Sequence, residues 1–207
     1  TFIPSRIADN PYLVATGYMS QLQALPEPLR SQMLYGDFQA GMADDAYQVI
    51  PTEWVDLAMQ RWREKTPRGE QMSVGVDVAR GGKDDTVVVA RYAGLWFDKP
   101  KAVPGRETKN GRDVVGAVVP VMRDGAFVHV DVIGVGASPY DIMNEMNLPV
   151  IGVNVANASY ATDKSGKLKF ANLRAELWWK FREMLDPDED NGVALPPDKR
   201  LRKELTA

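Results

Sequence analysis

The chain has 207 residues, of which 44% are hydrophobic and 26% are charged, and its formal net charge is −3. This length and hydrophobic content exclude a wholly disordered chain and suffice for one substantial domain with an appendage. With no cysteine and a single histidine, disulfides and thiolate zinc sites are excluded, and a multi-histidine metal site or a Ser-His triad is disfavoured. No apolar run approaches the roughly 18 residues that a membrane span needs, and the negative net charge confines any basic surface to a local patch.

Residues 1–66 are predicted to form a mainly helical linker segment, with short helices over 17–25 and 28–38. A further helix is predicted in IPTEWVDLAMQRW, where apolar residues recur at helical spacing. The polar stretch REKTPRGEQ ends this pattern. The N-terminal TFIPSRIADN has no initiator Met and lacks the basic start and apolar run of a signal peptide, so we expect the chain to be a piece of a longer protein.

Residues 67–207 are predicted to form an α/β domain, because strand-like segments begin at Met72 and later alternate with helical ones. Three strands followed by alternating helices and strands indicate a mixed sheet flanked by helices. The predicted strands are 72–79, 85–92, 94–103, 126–134 and 149–156, and the predicted helices are 112–125, 138–147 and 171–185.

Two carboxylates occur where strand-forming sequences rarely have them. Asp77 lies within the first predicted strand, in SVGVDVA, and Asp131 lies at the end of the fourth, in FVHVDV. In open α/β sheets, sites form at the carboxyl ends of strands, so we expect these two acids to lie side by side. Carboxylate oxygens are the ligands that Mg²⁺ and Mn²⁺ favour, and the two acids could therefore share a divalent ion.

Each candidate residue also has a purely structural interpretation. A single Asp at a strand end more often caps a turn than binds an ion, although two such acids before glycine-containing loops strengthen the metal interpretation. Asp84 lies in GGKDDT, which is compatible with a hairpin turn. His129 shares a strand face with Asp131, but a satisfied core histidine is the commoner case. Ser138 and Asp141 are expected to cap the helix that follows.

Two basic runs are expected to lie in solvated segments, although either could contact phosphates. They are Lys164, Lys167 and Lys169 in the loop 157–170, and Lys199, Arg200, Arg202 and Lys203 near the end of the chain.

Four separated blocks of the sequence, in order, resemble the large terminase subunit of tailed bacteriophages: QLQALPEPLRSQMLYGDF, GVDVARGGKDDTVV, VDVIGVGASPYD and GKLKFANLRAELWWKFREML. In that family an N-terminal ATPase drives DNA into the capsid, and a C-terminal domain of ribonuclease H-like fold cuts it. The resemblance implies that 1–66 leads to a motor domain and that 67–207 is the nuclease domain. It points to Asp77 and Asp131 as catalytic metal ligands and to Asp84 as a further ligand.

The resemblance also implies an activity, a cofactor and a setting. The reaction would be two-metal phosphodiester hydrolysis of double-stranded DNA with Mg²⁺ or Mn²⁺. The partners would be the portal protein, the small terminase subunit and the other copies of an oligomeric motor, with no membrane, in the host cytoplasm at the procapsid. The family's third acid usually lies in a Ser-Pro-Asp type of segment, which would come after Ala207; Asp198, in LPPDKRL, does not match it.

Other functions stay open at this point. The sequence contains no P-loop, so ATP hydrolysis is not expected. An ATP-binding module of the sugar-kinase and actin type shares this strand order, and DVARGGKDDT loosely matches its phosphate loop, but no second glycine-rich loop occurs. A non-catalytic docking domain from a degraded prophage is the other alternative, because a missing third acid would remove catalysis.

Overall fold

The computed structural model describes residues 18–23, 48–64, 69–79, 83–189 and 191–207, and the single positions 12, 30, 33 and 44. Most of the helix expected over 28–38 lies outside these described residues. The chain divides into two compact units, one of residues 1–55 with 199–207 and the other of residues 56–198. No helix in the described part of the chain is long and apolar enough to cross a membrane.

The first unit contains short helices. Helix α1 is Tyr18–Gln23, the start of α2 (Thr52–Arg61) follows, and α6 is Lys199–Leu205. The start of α2 is fixed by side chains that precede it. The Asp44 carboxylate accepts a hydrogen bond from the backbone N–H of Thr52 (3.0 Å), and the Gln48 amide donates to the Thr52 hydroxyl (3.0 Å). The helix predicted in this segment is therefore confirmed.

The second unit is built on one mixed sheet, as the sequence predicted. The strand order is β3-β2-β1-β5-β6, and β4 also pairs with β2. The pairs β1–β2, β2–β3 and β2–β4 are antiparallel, whereas β1–β5 and β5–β6 are parallel. The six strands are β1 (Gln71–Asp77), β2 (Asp85–Tyr92), β3 (Trp96–Phe97), β4 (Lys101–Pro104), β5 (Phe127–Asp131) and β6 (Val150–Val153).

Besides the end of α2, the described part of this unit contains the α-helices α3 (Gly111–Val118), α4 (Ala137–Glu145) and α5 (Leu173–Leu185). The core lies between one face of the sheet and the helices α3 and α4, and each fully buried valine there contributes about 1.5–3 kcal/mol. Because strand side chains alternate between faces, the residues between these valines lie on the other face. The buried core residues are Val74, Val76, Val88, Ala90, Val114, Val115, Val118, Val128, Val130 and Met143.

Several predicted boundaries of strands and helices were wrong. The first strand was expected to continue to residue 79, but β1 ends at Asp77, which is exposed, so its carboxylate is not buried within a strand. The third predicted strand is two short strands, β3 and β4. The helix predicted over 112–125 leaves α geometry after Val118, because Pro120 has no N–H to continue it.

The predicted helix cap at Ser138 was also wrong. Helix α4 begins at Ala137, its N-cap residue is Gly136, and no side chain caps it. Ser138 therefore lies inside the first turn.

The segment between β6 and α5 runs alongside α5. It starts beside the first turn of the helix, where the backbone N–H of Arg174 donates to the Val155 carbonyl (2.9 Å). Further along, Lys164 forms an ion pair with Glu189 (2.7 Å), and its backbone N–H donates to the Glu183 carboxylate (2.8 Å). The turn that carries Lys164, Lys167 and Lys169 thus lies beside the C-terminal end of α5, and these three lysines are exposed, as expected for a solvated loop.

Residues at the end of α2 pack on the outer edge of the sheet. The Trp62 ring stacks on Trp96 (centroids 5.4 Å apart), and its indole N–H donates to the Phe97 carbonyl (2.8 Å). The Arg61 guanidinium donates to the Val193 carbonyl (2.9 Å). The division of the chain near residue 66 into a linker segment and a nuclease domain stays a prediction.

The turn at Asp163 should depend on pH. The backbone N–H of Leu168, and then Ser165 and Lys167, hold the pKa of Asp163 below its ordinary value of 3.8 despite slight desolvation. Since the folded pKa is lowered, the turn gains stability above pH 3.8 and loses it as the pH falls through the folded pKa. An NMR titration of the Asp163 carboxyl carbon should give a midpoint below 3.8; a midpoint at or above that value would contradict the assignment.

Candidate active site

The structure places Asp77 and Asp131 next to each other at the carboxyl edge of the sheet. The parallel register of β1 and β5 pairs Val74 with Val128 and Val76 with Val130, and Asp77 and Asp131 are the next residues of these two strands. Adjacent strands are about 4.8 Å apart, and two side chains on the same face at this spacing can share one ion. We call Asp77 and Asp131 the acid pair.

Both members of the acid pair face away from the helices. Val76 and Val130 are buried under α3 and α4, and side chains alternate along a strand. Asp77 is exposed and Asp131 is half-buried. Water, a metal ion or a substrate can therefore reach the pair without any opening of the core.

The backbone around Asp131 is held by its own loop. One carboxylate oxygen accepts a hydrogen bond from the backbone N–H of Ile133 (3.0 Å). The N–H of Val132 donates to the Val153 carbonyl (3.0 Å), which continues the pairing toward β6. Gly136 lies against the Asp131 carbonyl so closely that a Cβ at position 136 would be 1.7 Å from that oxygen. Only glycine fits at this position without a shift of the Asp131 backbone.

The backbone on both sides of Asp77 is held by contacts with β2. Before it, β1 is paired with β2 up to Asp77 and Val87. After it, the backbone N–H of Ala79 donates to the Thr86 hydroxyl (3.1 Å). Within the described residues, no hydrogen bond reaches the Asp77 carboxylate, so its oxygens are available to a ligand.

Asp84 lies immediately before β2. Its carbonyl accepts a hydrogen bond from the backbone N–H of Gly105 (3.1 Å), and its side chain is exposed. The described residues contain no group of three His, Cys, Asp or Glu side chains that could hold a metal ion. The role of Asp84 as a further ligand to the acid pair stays a prediction.

The residues at this edge suit a divalent ion of the magnesium type. Mg²⁺ is commonly held by one or two carboxylates together with waters and substrate phosphate oxygens. The acid pair supplies two carboxylates from adjacent strands, and one oxygen of Asp131 is already oriented by its own loop. Two carboxylates match the usual protein contribution to such an ion, whose other ligands are waters and substrate oxygens.

Reasoning from the sequence missed three residues at this edge. Thr86 and Thr108 are buried and bond the backbone after Asp77, and Gly136 allows the loop after Asp131 to close. Thr86 could have been found, because it alternates with Val88 and Ala90 on the core face of β2, where a hydroxyl needs a partner. Thr108 lies in a polar loop, and its sequence context carries no comparable signal.

The comparisons with known proteins identify the fold. No protein-family model matches the chain, and no curated protein sequence matches it. A variant of gp2C of the large terminase subunit from bacteriophage Sf6, solved with calcium, is 18% identical, has a TM-score of 0.54, and is matched over 81% of its length by 76% of this chain.

A second similar structure is the nuclease domain of gp2 of bacterial virus Sf6. It is 16% identical, has a TM-score of 0.51, and is matched over 80% of its length by 76% of this chain. A variant of that domain, solved with manganese and beta-thujaplicinol, has a TM-score of 0.52 at 16% identity. The chain therefore has the ribonuclease H-like fold of phage terminase nuclease domains, as the sequence predicted.

We expect Gly136→Ala to lower stability by about 1–3 kcal/mol, because the added methyl group must displace the Asp131 carbonyl. Gly116→Ala is the matched control. Position 116 is an exposed site in α3 with nothing within 4 Å of an added Cβ, so alanine should stabilise the helix by about 0.5–1 kcal/mol. Urea unfolding of both variants measures the change in the free energy of unfolding. An equal change in the two variants would contradict the close contact between position 136 and the Asp131 carbonyl.

Proposed function

We propose that this chain is the nuclease domain of a phage DNA-packaging terminase, with the preceding linker segment, and that it cuts double-stranded DNA with divalent metal ions. The observation that supports the proposal is the register of β1 and β5, which pairs Val76 with Val130, the residues just before Asp77 and Asp131, in a sheet of the terminase nuclease fold. The four sequence blocks that resemble the large terminase subunit support it independently.

Asp77 and Asp131 hold the ions in this proposal, and Asp84 is a further ligand. Mg²⁺ or Mn²⁺ bound there supplies Lewis-acid stabilisation of the negative charge that develops during phosphodiester hydrolysis by a two-metal mechanism. Structures of similar nuclease domains are described with calcium and with manganese, which supports the use of divalent ions. The two carboxylates repel each other when no cation is bound, so the ion also stabilises the edge that binds it.

The open edge of the sheet receives the DNA backbone. Because the net charge of the chain is −3, contact with DNA depends on local basic side chains and on the ions themselves. Binding by this domain alone is therefore weak, without sequence preference and sensitive to salt.

The setting of the domain follows the family resemblance. The portal protein, the small terminase subunit and an oligomeric motor are its partners at the procapsid in the host cytoplasm.

Asp77→Asn and Asp131→Asn should each abolish DNA cutting in the full-length protein. Asparagine keeps the shape of the side chain but removes the charge that holds the cation. Loss of an outer-shell partner alone costs about 10–100-fold in metal-site activity, so loss of a ligand should cost at least about 100-fold. Plasmid nicking in Mn²⁺ and in Mg²⁺ measures the rate, and Asp84→Asn should be the milder variant.

Glu145→Gln is the control for these variants. It also removes one negative charge, but Glu145 is exposed at the C-terminal end of α4, away from the carboxyl edge of the sheet. It should cut at the wild-type rate, and thermal melts should show that all four variants fold. Full Mn²⁺-dependent activity of Asp77→Asn in a folded protein would overturn the assignment of the site.

Divalent ions should stabilise the wild-type chain against heat. At 100 times its dissociation constant, a ligand that binds only the folded state adds about 2.7 kcal/mol, which corresponds to a Tm increase of about 5–10 °C for a chain of this size. The increase should vanish in Asp77→Asn, whose Tm without metal should equal or exceed that of the wild type because a like-charge repulsion is removed. Differential scanning calorimetry with Mn²⁺ and with EDTA tests this, and an equal increase in both proteins would contradict a metal site at Asp77.

A further inference from the structure

Two buried hydroxyls hold the backbone just after Asp77. The side chains of Thr86 and Thr108 are 0% and 1% exposed, and their hydroxyl oxygens are 2.7 Å apart. Buried polar groups of this kind are costly unless they are satisfied, so their placement calls for a physical reason. We call Thr86 and Thr108 the hydroxyl pair.

The hydroxyl pair satisfies both backbone groups of Ala79. The Thr86 oxygen lies 3.1 Å from the Ala79 nitrogen and 3.1 Å from its carbonyl oxygen, and the Thr108 oxygen lies 3.3 Å from the same carbonyl. A hydroxyl donates one hydrogen bond and can accept two. Either Thr86 donates to the carbonyl and accepts from Thr108, or Thr86 donates to Thr108, which then donates to the carbonyl. In both arrangements Thr86 accepts from the Ala79 N–H, and no group is left unpaired.

These contacts extend β1 beyond the end of its ladder. The β1–β2 register stops at Asp77 and Val87, and Ala79 is two residues further on. The Thr86 side chain, from β2, takes the place of the missing backbone partner. The backbone on both sides of Asp77 is therefore fixed, before it by the ladder and after it by the hydroxyl pair.

The turn at residues 105–108 also contacts Asp84, just before β2. Thr108 closes the 3-10 turn Gly105–Glu107, because its N–H donates to the Gly105 carbonyl (3.1 Å). The N–H of Gly105 donates in turn to the Asp84 carbonyl (3.1 Å). Ala79 and Asp84 are thus both tied to residues 105–108.

We infer that Thr86 and Thr108 are positioning residues for the metal site: their hydroxyls fix Ala79 and so hold the end of β1 with the Asp77 carboxylate beside Asp131. This inference rests on the proposed function. Asp131 is oriented by its own loop, through Ile133 and Gly136, whereas the described residues offer the Asp77 side chain no hydrogen bond. The direction of the Asp77 carboxylate therefore depends on its backbone, and the backbone depends on the hydroxyl pair.

Thr86→Val is the decisive variant, because valine keeps the shape and removes the hydroxyl. It should weaken Mn²⁺ binding by about 10–100-fold, the usual effect of losing a partner that orients a ligand. Thr86→Ser keeps the hydroxyl and should bind Mn²⁺ within about twofold of the wild type. Thr108→Val should have an intermediate Mn²⁺ affinity, since Thr86 alone can still pair with both the N–H and the carbonyl of Ala79. Isothermal titration calorimetry of the 207-residue chain measures these affinities.

Gln71→Leu is the control for a merely structural role. Gln71 is also buried in β1, and its amide is hydrogen-bonded to Val121, Arg123 and Tyr92, so its loss should lower Tm as well. It lies six residues from Asp77 along the strand, or about 20 Å, and should leave Mn²⁺ affinity unchanged. Equal loss of affinity in Gln71→Leu and Thr86→Val would mean that only general destabilisation is being measured, and would overturn the inference.

Amide hydrogen exchange tests the hydroxyl pair without any metal. The Ala79 N–H should exchange at least about tenfold faster in Thr86→Val than in the wild type, and should stay protected in Thr86→Ser and Gln71→Leu. Unchanged exchange in Thr86→Val overturns the contact itself. Faster exchange with unchanged Mn²⁺ affinity overturns the positioning role. If the wild type binds no Mn²⁺, the proposed metal site fails and the positioning role fails with it, whereas the exchange result still decides whether the contact exists.

Discussion

The parallel pairing of β1 with β5 is the constraint on which the rest of the second unit depends. It sets Val76 beside Val130 on the covered face and the two acids beside each other at the edge. Because side chains alternate along a strand, a slip of one residue would turn one row of valines toward solvent and its acid toward the core. The same hydrophobic burial that stabilises the sheet therefore also fixes the geometry of the candidate site.

The core and the site use the same strands but divide the faces between them. Helices α3 and α4 cover the valine face, and the acid pair lies at the carboxyl edge on the side of the sheet that these two helices do not cover. The turn at residues 105–108, which enters α3, and the loop after β5, which enters α4, both lie at that edge. The helices that cover the core, α3 and α4, are thus preceded by the segments that lie near the acid pair.

The acid pair could be predicted from the sequence because strand alternation and the strand-end rule are local and strong signals. The mixed sheet flanked by helices followed from the alternation of strand-like and helical segments along the chain. The hydroxyl pair could not be predicted from local sequence, because Thr86 and Thr108 are in contact only when β2 and the turn at residues 105–108 have come together. The prediction that Ser138 caps α4 was wrong, because Gly136 occupies the N-cap position. The close approach of Gly136 to the Asp131 carbonyl requires glycine there, and this steric requirement overrides the usual capping preference.

The two halves of the candidate site are fixed by contacts of different sequence range. The Asp131 carboxylate is oriented by Ile133, two positions away, and Gly136, five positions away, lets its loop close. The backbone after Asp77 is fixed by Thr86, seven residues from Ala79, and by Thr108, which is 29 residues from Ala79. Closing a longer loop is entropically more costly. The Asp131 carboxylate can thus be oriented as soon as its own loop forms, whereas the hydroxyl pair is complete only once the turn at residues 105–108 has reached β2.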